Sequence, residues 1–303
     1  MPAPVALFVY KRPDHTRRTL AALAANALAP QTDVTVFADA PRNDSDRDAV
    51  AQTRAVVAAQ GGFKSLEVRE RQTNAGLATS IIEGVSQMCT AHGRVIVMED
   101  DLVTAPGFLT FMNAALDRYE TTREVWHISG WNYPTSARGA ADGFFWRTMN
   151  CWGWGTWADR WAQFDKDPGA LIENWGSRKI RDFNCGDRED FWRQVERNAS
   201  GEQDTWAIFW YATIYERGGL CLNPWHSLVE NIGLDGTGEN SGTRAADNGA
   251  LNPAQAFVLP EKPELDAAAQ SAIHDFLDSR RRKPARHRRR LRFARWKKYG
   301  VWT

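Results

Sequence analysis

The segment Val95-Ile-Val-Met-Glu-Asp-Asp-Leu102 joins a short apolar run to three consecutive acids. Four apolar residues in a row predict a strand buried on both faces, as in a parallel sheet. The acids follow at the carboxyl end of this strand, where open parallel sheets bind their ligands. If the strand continued, Glu99 and Asp101 would share one face and Asp100 the other. Alternatively, Asp100 or Asp101 caps the next helix.

Carboxylates this close repel one another unless a cation or hydrogen-bond donors compensate them. A divalent ion, Mn²⁺ or Mg²⁺, completed by phosphate oxygens of a substrate would do so. The chain contains neither a GxGxxG segment after its first strand nor a GxxxxGK[ST] segment. A bound nucleotide would therefore be held through the metal and side chains rather than by a glycine-rich phosphate loop.

The chain before the acids alternates between short strand-like runs and longer helical patterns. The spacing predicts strands at 5–10, 33–38, 66–69 and 94–98, and helices at 14–26, 45–61, 77–91 and 106–119. Successive strands begin about thirty residues apart, the length of a strand plus a crossover helix. The pattern predicts an α/β fold with a mostly parallel, Rossmann-like sheet and helices on both faces.

Polar residues follow the other predicted strands as well. Tyr10 and Arg12 follow the first strand, Asp39 follows the second, and Asn74 and Gly76 precede the third helix. Each has a local explanation, since Asp39 can cap a helix and Gly76 can shape a turn. Parallel strands share one carboxyl edge, so we expect these residues to lie beside the acids.

The composition is that of an ordinary soluble globular chain. Its 303 residues are 43% hydrophobic and 25% charged, which excludes a disordered or collagen-like protein. The four cysteines are far apart and form no CxxC pair, so we expect reduced thiols and no structural zinc. We also expect no signal peptide and no transmembrane helix, and hence a cytoplasmic protein.

Charge is distributed unevenly along the chain. The net charge is +1, but twelve Lys or Arg residues and no acid lie between Arg280 and Lys298, which leaves −11 for the rest. Phe293, Trp296 and Tyr299 lie among or just beyond these charges. We expect this tail to bind an anionic membrane surface, with docking on the acidic body as the alternative. The acidic body argues against a nucleic-acid partner.

Tryptophan is concentrated in the middle of the chain. Twelve of the fourteen lie between Trp126 and Trp225. We read this region as loops and helices packed on the edge of the sheet, with most of the indoles in the core or at a seam. Trp131 and Trp154 are the candidates for a surface on which a sugar ring could stack.

Several of these segments together resemble a known family. The opening segment 4–20, Val97-Met-Glu-Asp-Asp-Leu-Val-Thr-Ala-Pro-Gly-Phe108, Trp126-His-Ile-Ser-Gly-Trp-Asn132 and Trp152-Gly-Trp-Gly-Thr-Trp157 are similar to the N-acetylglucosaminyltransferase I group of GT-A glycosyltransferases and to related bacterial enzymes. The resemblance covers roughly residues 4–235. It implies a GT-A fold with a Trp-rich extension on the acceptor side.

The resemblance also implies roles for individual residues. Asp101 would be the metal ligand, while Glu99 and Asp100 would lie near the ribose and sugar of the donor. Asp39 would face the base, and the nucleotide pocket would be lined by Tyr10, Arg12, Asn74 and Gly76. The catalytic base would be Asp204, with Asp187, Glu189 and Asp190 as rival candidates.

The implied activity is inverting, metal-dependent transfer of a hexosyl or N-acetylhexosaminyl group from a nucleotide sugar, with a UDP-sugar favoured. The acceptor would be a glycan or glycolipid of a bacterial surface polysaccharide, extended at the inner face of the cell membrane. The alternatives are a sugar nucleotidyltransferase and a non-catalytic carbohydrate-binding protein. We expect a nucleotide-sugar half at 1–130, an acceptor half at 131–260, and a C-terminal helix with a basic aromatic tail at 261–303.

Overall fold

A computed structural model describes residues 1–234 and 250–282. The strands of this described part are β1 (Val5–Val9), β2 (Asp33–Ala38), β3 (Ser65–Glu70), β4 (Arg94–Glu99), β5 (Leu102–Thr104), β6 (Val125–Ser129), β7 (Gly143–Trp146), β8 (Trp154–Trp157), β9 (Leu220–Pro224) and β10 (Val229–Asn231). Its α-helices are α1 (Pro13–Ala24), α2 (Arg47–Ala58), α3 (Leu77–His92), α4 (Phe108–Arg118), α5 (Ala158–Trp161), α6 (Pro168–Asn174), α7 (Ser177–Phe183), α8 (Trp192–Ala199), α9 (Ala207–Glu216) and α10 (Ala267–Arg282).

Eight strands form one mixed sheet in the order β3-β2-β1-β4-β8-β6-β9-β7, while β5 and β10 form a small second sheet. The first four strands of this order run parallel to one another. Strand β8 is antiparallel to both β4 and β6, β9 is parallel to β6, and β7 is antiparallel to β9. The predicted α/β fold, with a parallel sheet in its N-terminal half, is confirmed.

Alternating side chains of β1 pack against helices on opposite faces of the sheet. Leu7 belongs to the same buried cluster as Leu20 of α1, whereas Phe8 belongs to a second cluster with Ile81 of α3. This alternation follows from the twofold period of a strand. The sheet is therefore covered on both faces, as predicted for a parallel sheet with crossover helices.

The Trp-rich region differs from its prediction, because it supplies strands of the main sheet rather than loops at its edge. Strand β8 lies inside the sheet, between β4 and β6. Gly155 allows this close packing, since a Cβ there would lie 3.1 Å from the Val95 carbonyl oxygen and 3.1 Å from Met112 Cε. Eleven of the twelve tryptophans between Trp126 and Trp225 are buried, which confirms that most belong to the core.

The C-terminal helix α10 packs its apolar residues Ala269, Ile273 and Leu277 into a third buried cluster with Trp131 and Tyr133. The predicted basic tail lies outside the described residues from position 283 onward. Within the described ranges, no helix has both the length and the apolar character needed to cross a membrane.

Candidate functional site

The carboxyl ends of three neighbouring parallel strands form the edge on which the polar residues gather. Val9, at the end of β1, pairs with Ala38, at the end of β2, and Phe8 pairs with Glu99, at the end of β4. Tyr10, Asp39 and Asp100 each follow directly after one of these strands. The structure thus brings the predicted strand-end residues to one edge of the sheet.

Arg12 supplies the positive charge that the adjacent acids require. Its Nη2 donates hydrogen bonds to Asp100 Oδ1 and, at 3.0 Å, to Asp101 Oδ2. Strand β4 ends at Glu99, so the alternation that would separate Asp100 from Asp101 stops there, and both reach the same guanidinium. Burial alone would lower the pKa of Arg12. The two carboxylates together outweigh this effect and raise the pKa above its ordinary value, so the residue stays charged. Its Nη1 is buried without a hydrogen-bond partner among the described residues.

Glu99 has a different environment from the other two acids. Its carboxyl group makes no hydrogen bond or ion pair with the described residues. Burial and the nearby charges of Asp101 and Asp100 raise its pKa to about 8. Burial also raises the pKa of Asp100, to about 6, against the opposing effect of Arg12. The cluster is therefore only partly neutralised by Arg12.

Strand β10 brings Gly233 against this cluster. It pairs antiparallel with β5, which follows the acids directly, and the Ile232 amide donates to the Asp101 carbonyl at 2.8 Å. A Cβ on Gly233 would lie 2.1 Å from Asp101 Oδ2 and 2.8 Å from Arg12 Nη1. Only a residue without a side chain fits here while the Arg12–Asp101 contact is maintained.

The predicted nucleotide-pocket residues Asp39 and Asn74 hold the loop before α3. The Asp39 carboxylate accepts hydrogen bonds from the amides of Ala75 and Gly76, both at 3.0 Å, and Asn74 Nδ2 donates to the Ala40 carbonyl at 2.7 Å. Gly76 has φ +76°, a conformation that favours glycine. These contacts fix the loop beside the strand ends.

Tyr10 is also engaged within the protein. Its hydroxyl donates to Asp46 Oδ2 at 2.7 Å and accepts from the Arg42 amide at 3.0 Å. Burial and the Asp46 hydrogen bond raise the pKa of Tyr10 to about 12. The ring remains half-buried at the strand edge, with Lys11 Nζ 5.2 Å from its centroid.

A cavity of about 430 Å³ lies on the Trp-rich side of the sheet. Its volume is within the ~300–1,000 Å³ range of small-ligand sites. Its lining combines aromatic side chains, amides, carboxylates and one arginine: Trp131, Tyr133, Met149, Asn150, Cys151, Trp152, Glu189, Asp190, Phe191, Gln194, Ala207, Ile208, Tyr211 and Arg280. Aromatic faces with hydrogen-bonding groups suit a ligand that is both apolar and polar, as sugar rings are.

The pairing of β8 with β4 sets the cavity beside the acids. Val97 pairs with Trp154, the first residue of β8, so the antiparallel chain before Trp154 runs past the carboxyl end of β4. That preceding segment carries Cys151 and Trp152, which line the cavity. Burial raises the pKa of Cys151 to about 12, and the charges of Glu99 and Asp101 contribute to this rise. Cys151 therefore brings one wall of the cavity close to the acid cluster, although none of the three acids lines the cavity.

Asp204, the predicted base, does not line this cavity. Its carboxylate pairs with Lys166, and its side chain is 68% exposed. Asp187 is 58% exposed and pairs with Arg181 at 3.3 Å. Of the four candidate acids, Glu189 and Asp190 line the cavity. Asp204 and Asp187 thus lie outside the cavity lining, whereas Glu189 and Asp190 belong to it.

The two predicted platform tryptophans have different positions. Trp131 lines the cavity, with its ring 4.8 Å from that of Trp152. Trp154 is 1% exposed and stacks against Trp206 and His127 inside the core, so its prediction as a sugar platform is wrong. Trp152 is half-buried in the cavity wall instead. Trp152 and Trp154 are only two positions apart in the sequence. The strand register places the first in the cavity wall and the second in the core.

Comparisons with known proteins give only remote likenesses. No protein-family model and no curated protein matches the chain. One crystal structure of S. aureus TarS matches with 17% identity and a TM-score of 0.31, over 45% of this chain and 23% of its own. A second, of TarS residues 1–349, matches with 11% identity and a TM-score of 0.39, over 75% of this chain and 59% of its own. Mouse xyloside xylosyltransferase 1 matches with 11% identity and a TM-score of 0.36, over 71% of this chain and 82% of its own. A Bacillus anthracis protein described as a glucose-1-phosphate thymidylyltransferase, solved with sucrose, matches with 9% identity and a TM-score of 0.37, over 73% of this chain and 86% of its own. Likenesses this distant establish neither a family nor an activity for this chain.

Proposed function

We propose that this protein is a metal-dependent, inverting glycosyltransferase that transfers a hexosyl or N-acetylhexosaminyl group from a nucleotide sugar. The observation that carries this proposal is the adjacency of two different sites, the acid cluster at the end of β4 and the aromatic cavity beside it. A transfer reaction needs two neighbouring sites, one for the donor and one for the acceptor. The pairing of Val97 with Trp154 supports such an arrangement.

The donor would bind at the carboxyl edge of β1, β2 and β4. The buried Nη1 of Arg12 lacks a partner among the described residues, and a phosphate oxygen of the donor would satisfy it. Tyr10, Asp39, Asn74 and Gly76 would form the wall for the nucleoside. We favour a UDP-sugar, on the family resemblance alone.

The acids fit a divalent cation, Mn²⁺ or Mg²⁺. Among the described residues Glu99 forms no ion pair, and Asp101 contacts Arg12 only through Oδ2. No three His, Cys, Asp or Glu side chains within 1–234 and 250–282 are grouped closely enough to hold an ion unaided. This donor set suits an ion that takes one or two carboxylates and completes its shell with substrate phosphates. When bound, such an ion would neutralise the leaving diphosphate.

The acceptor would occupy the cavity, with a sugar ring against Trp131 or Trp152. Glu189 or Asp190 would remove the proton from the attacking hydroxyl, in place of the sequence-based candidate Asp204. The hydroxyl oxygen would form a bond to the anomeric carbon as the bond to the diphosphate breaks. Attack from the face opposite the leaving group would invert the anomeric centre.

We also propose that the acceptor is a glycan or glycolipid of a bacterial surface polysaccharide, and that the basic tail holds the enzyme at the inner face of the cell membrane. Twelve cationic residues would attract anionic headgroups at about 1 kcal/mol each. We expect the full chain to sediment with vesicles that contain anionic lipid, and a chain ending at Arg282, which lacks nine of the twelve cationic residues, to sediment far less. Equal sedimentation of the two chains would exclude the tail as the anchor.

Replacement of Asp101 tests the donor site. Asp101→Asn should abolish the Mn²⁺-dependent rise in melting temperature that UDP or a UDP-sugar gives the wild type, because the amide loses the ligand charge. The matched control is Asp117→Asn, which removes an exposed carboxylate paired with Arg94. Retention of the full Mn²⁺-dependent shift by Asp101→Asn would show that Asp101 is not the ligand.

The reaction products separate the proposed function from its alternatives. A glycosyltransferase releases a nucleoside diphosphate from a nucleotide sugar, with or without an added glycan. A nucleotidyltransferase instead releases pyrophosphate from a nucleoside triphosphate and a sugar phosphate. Binding of glycans to the cavity without either product would leave a carbohydrate-binding protein.

A further inference from the structure

The turn that carries the cavity acids has an unusual backbone. Cys185, Gly186 and Asp187 lie between α7 and α8 with φ values of +53°, +68° and +64°. Left-handed backbone brings the Cβ of an L-residue too close to its own carbonyl oxygen, so non-glycine residues rarely adopt it in succession. Such a turn persists only where its surroundings hold it. It leads directly to Glu189 and Asp190, which line the cavity.

Arg188 ties this turn to the C-terminal helix. Its Nη1 donates to the Cys185 carbonyl at 3.3 Å, and its Nε donates to the Asp278 carboxylate of α10 at 3.2 Å. The two side chains are 28% and 38% exposed, so the pair is partly shielded from water. A planar guanidinium with several donors is suited to bridging two acceptors on different segments.

Apolar contacts reinforce the same connection. Cys185 is buried in one cluster with Ile273 and Leu277 of α10 and with Trp131. Helix α10 also contributes Arg280 to the cavity wall. The helix therefore reaches the turn through an ion pair and a buried cluster, and reaches the cavity directly.

We propose that α10 is a working part of the acceptor site, and that Arg188 and Asp278 are positioning residues. By holding the left-handed turn 185–187, they set Glu189 and Asp190 at the cavity. The claim that these two acids act on an acceptor rests on the proposed function; the claim that α10 holds the turn does not.

Hydrogen–deuterium exchange measures, without any ligand, how firmly the Arg188–Asp278 pair holds the turn 185–187. The amides of Cys185, Gly186 and Glu189 donate hydrogen bonds to the carbonyls of Asp182, Arg181 and Asn184 inside the turn. In Arg188→Ala and in Asp278→Ala we expect these amides to exchange about tenfold faster, with the rest of the chain unchanged. The double variant should be no faster than Arg188→Ala alone, because both substitutions remove the same connection.

Two further variants sharpen the result. Arg47→Ala removes an exposed ion pair with Asp44 far along the chain and should leave the turn amides unchanged. Arg188→Lys keeps the charge but loses the planar guanidinium that bridges the two acceptors. We therefore expect its exchange rate to lie between those of the wild type and Arg188→Ala. Unchanged exchange in both alanine variants, or additive effects in the double variant, would show that the Arg188–Asp278 pair does not hold the turn.

Sugar transfer provides the second readout. In Arg188→Ala and Asp278→Ala the KM for the acceptor should rise while the KM for the nucleotide sugar stays close to that of the wild type. A rise in both would mean a general loss of structure and would overturn the positioning role. If the wild type transfers no sugar at all, the proposed function fails, and the exchange rates still decide whether α10 holds the turn.

Discussion

Replacing Gly233 by alanine would disturb the acid cluster directly. The added Cβ would lie 2.1 Å from Asp101 Oδ2 and 2.8 Å from Arg12 Nη1, whereas ordinary contacts of a Cβ are 3.4–4 Å. Asp101 is 5% exposed, so its carboxylate has little room to rotate. We expect the substitution to turn this carboxylate away from Arg12 and to break their 3.0 Å hydrogen bond.

Two terms set the size of the effect. Forcing a methyl group into a packed site costs about 1–3 kcal/mol. A hydrogen bond between charged groups contributes about 1.5–3 kcal/mol to stability. Both terms describe the same displacement and overlap, so we expect Gly233→Ala to lower the free energy of unfolding by about 2–4 kcal/mol.

Urea unfolding gives this free energy, and melting with Mn²⁺ and UDP reports on the donor site. The matched control is Gly61→Ala, because nothing lies within 4 Å of a Cβ at Gly61. There we expect no loss of stability, and a gain of up to about 1 kcal/mol from the stiffer unfolded chain. If Gly233→Ala were as stable as the control and kept the full response to Mn²⁺ and UDP, the close packing of β10 on the acids would be refuted.

Three further predictions concern carboxyl groups. Burial and the neighbouring acids raise the pKa of Glu99 from 4.5 to about 8, so ionising it in the folded protein costs free energy. The pKa of Asp100 is raised to about 6, so the stability of the wild type should fall through Glu99 mainly as the pH rises from about 6 to about 8. Glu99→Gln should lose that part of the fall in urea titrations at several pH values. Glu189→Gln or Asp190→Asn should slow sugar transfer on the order of a hundredfold while leaving the melting shift with Mn²⁺ and UDP unchanged, and if neither does, the base lies elsewhere. Asp204→Asn should leave the transfer rate near that of the wild type and change stability by less than about 1 kcal/mol, because its ion pair is exposed; a large loss of transfer would restore Asp204 as the base.

The strands of the N-terminal half could be predicted because apolar runs and crossover helices follow a regular period. That period also indicated which residues end each strand, so the edge carrying Tyr10, Asp39 and Glu99 could be anticipated. The neutralisation of the acids by Arg12 could not. Arg12 and Asp100 are 88 residues apart in sequence, and a strand pattern gives no direction for side chains beyond the end of a strand.

The acceptor side was harder to predict, for two physical reasons. Strand β8 is buried on both faces, so Trp154–Trp157 shows no alternation of polar and apolar residues that would distinguish a strand from a packed loop. The turn before Glu189 is left-handed at Cys185, Gly186 and Asp187. Glycine and aspartate adopt that conformation more readily than other residues, but cysteine does not, so the sequence does not predict three such residues in succession. Local sequence therefore gives no indication that Glu189 and Asp190 reach the cavity.

The position of β8 bears on the choice between the candidate functions. A carbohydrate-binding protein needs only the cavity, whereas a glycosyltransferase and a nucleotidyltransferase each need room for two neighbouring substrates. Here the antiparallel pairing of β8 with β4 carries Trp152 past the end of β4 towards Glu99. The same segment places Cys151, which lines the cavity, near the charges of Glu99 and Asp101. An arrangement that holds two substrates side by side, one at the acids and one against the aromatic wall, would suit a transferase and would serve no purpose in a protein that only binds carbohydrate.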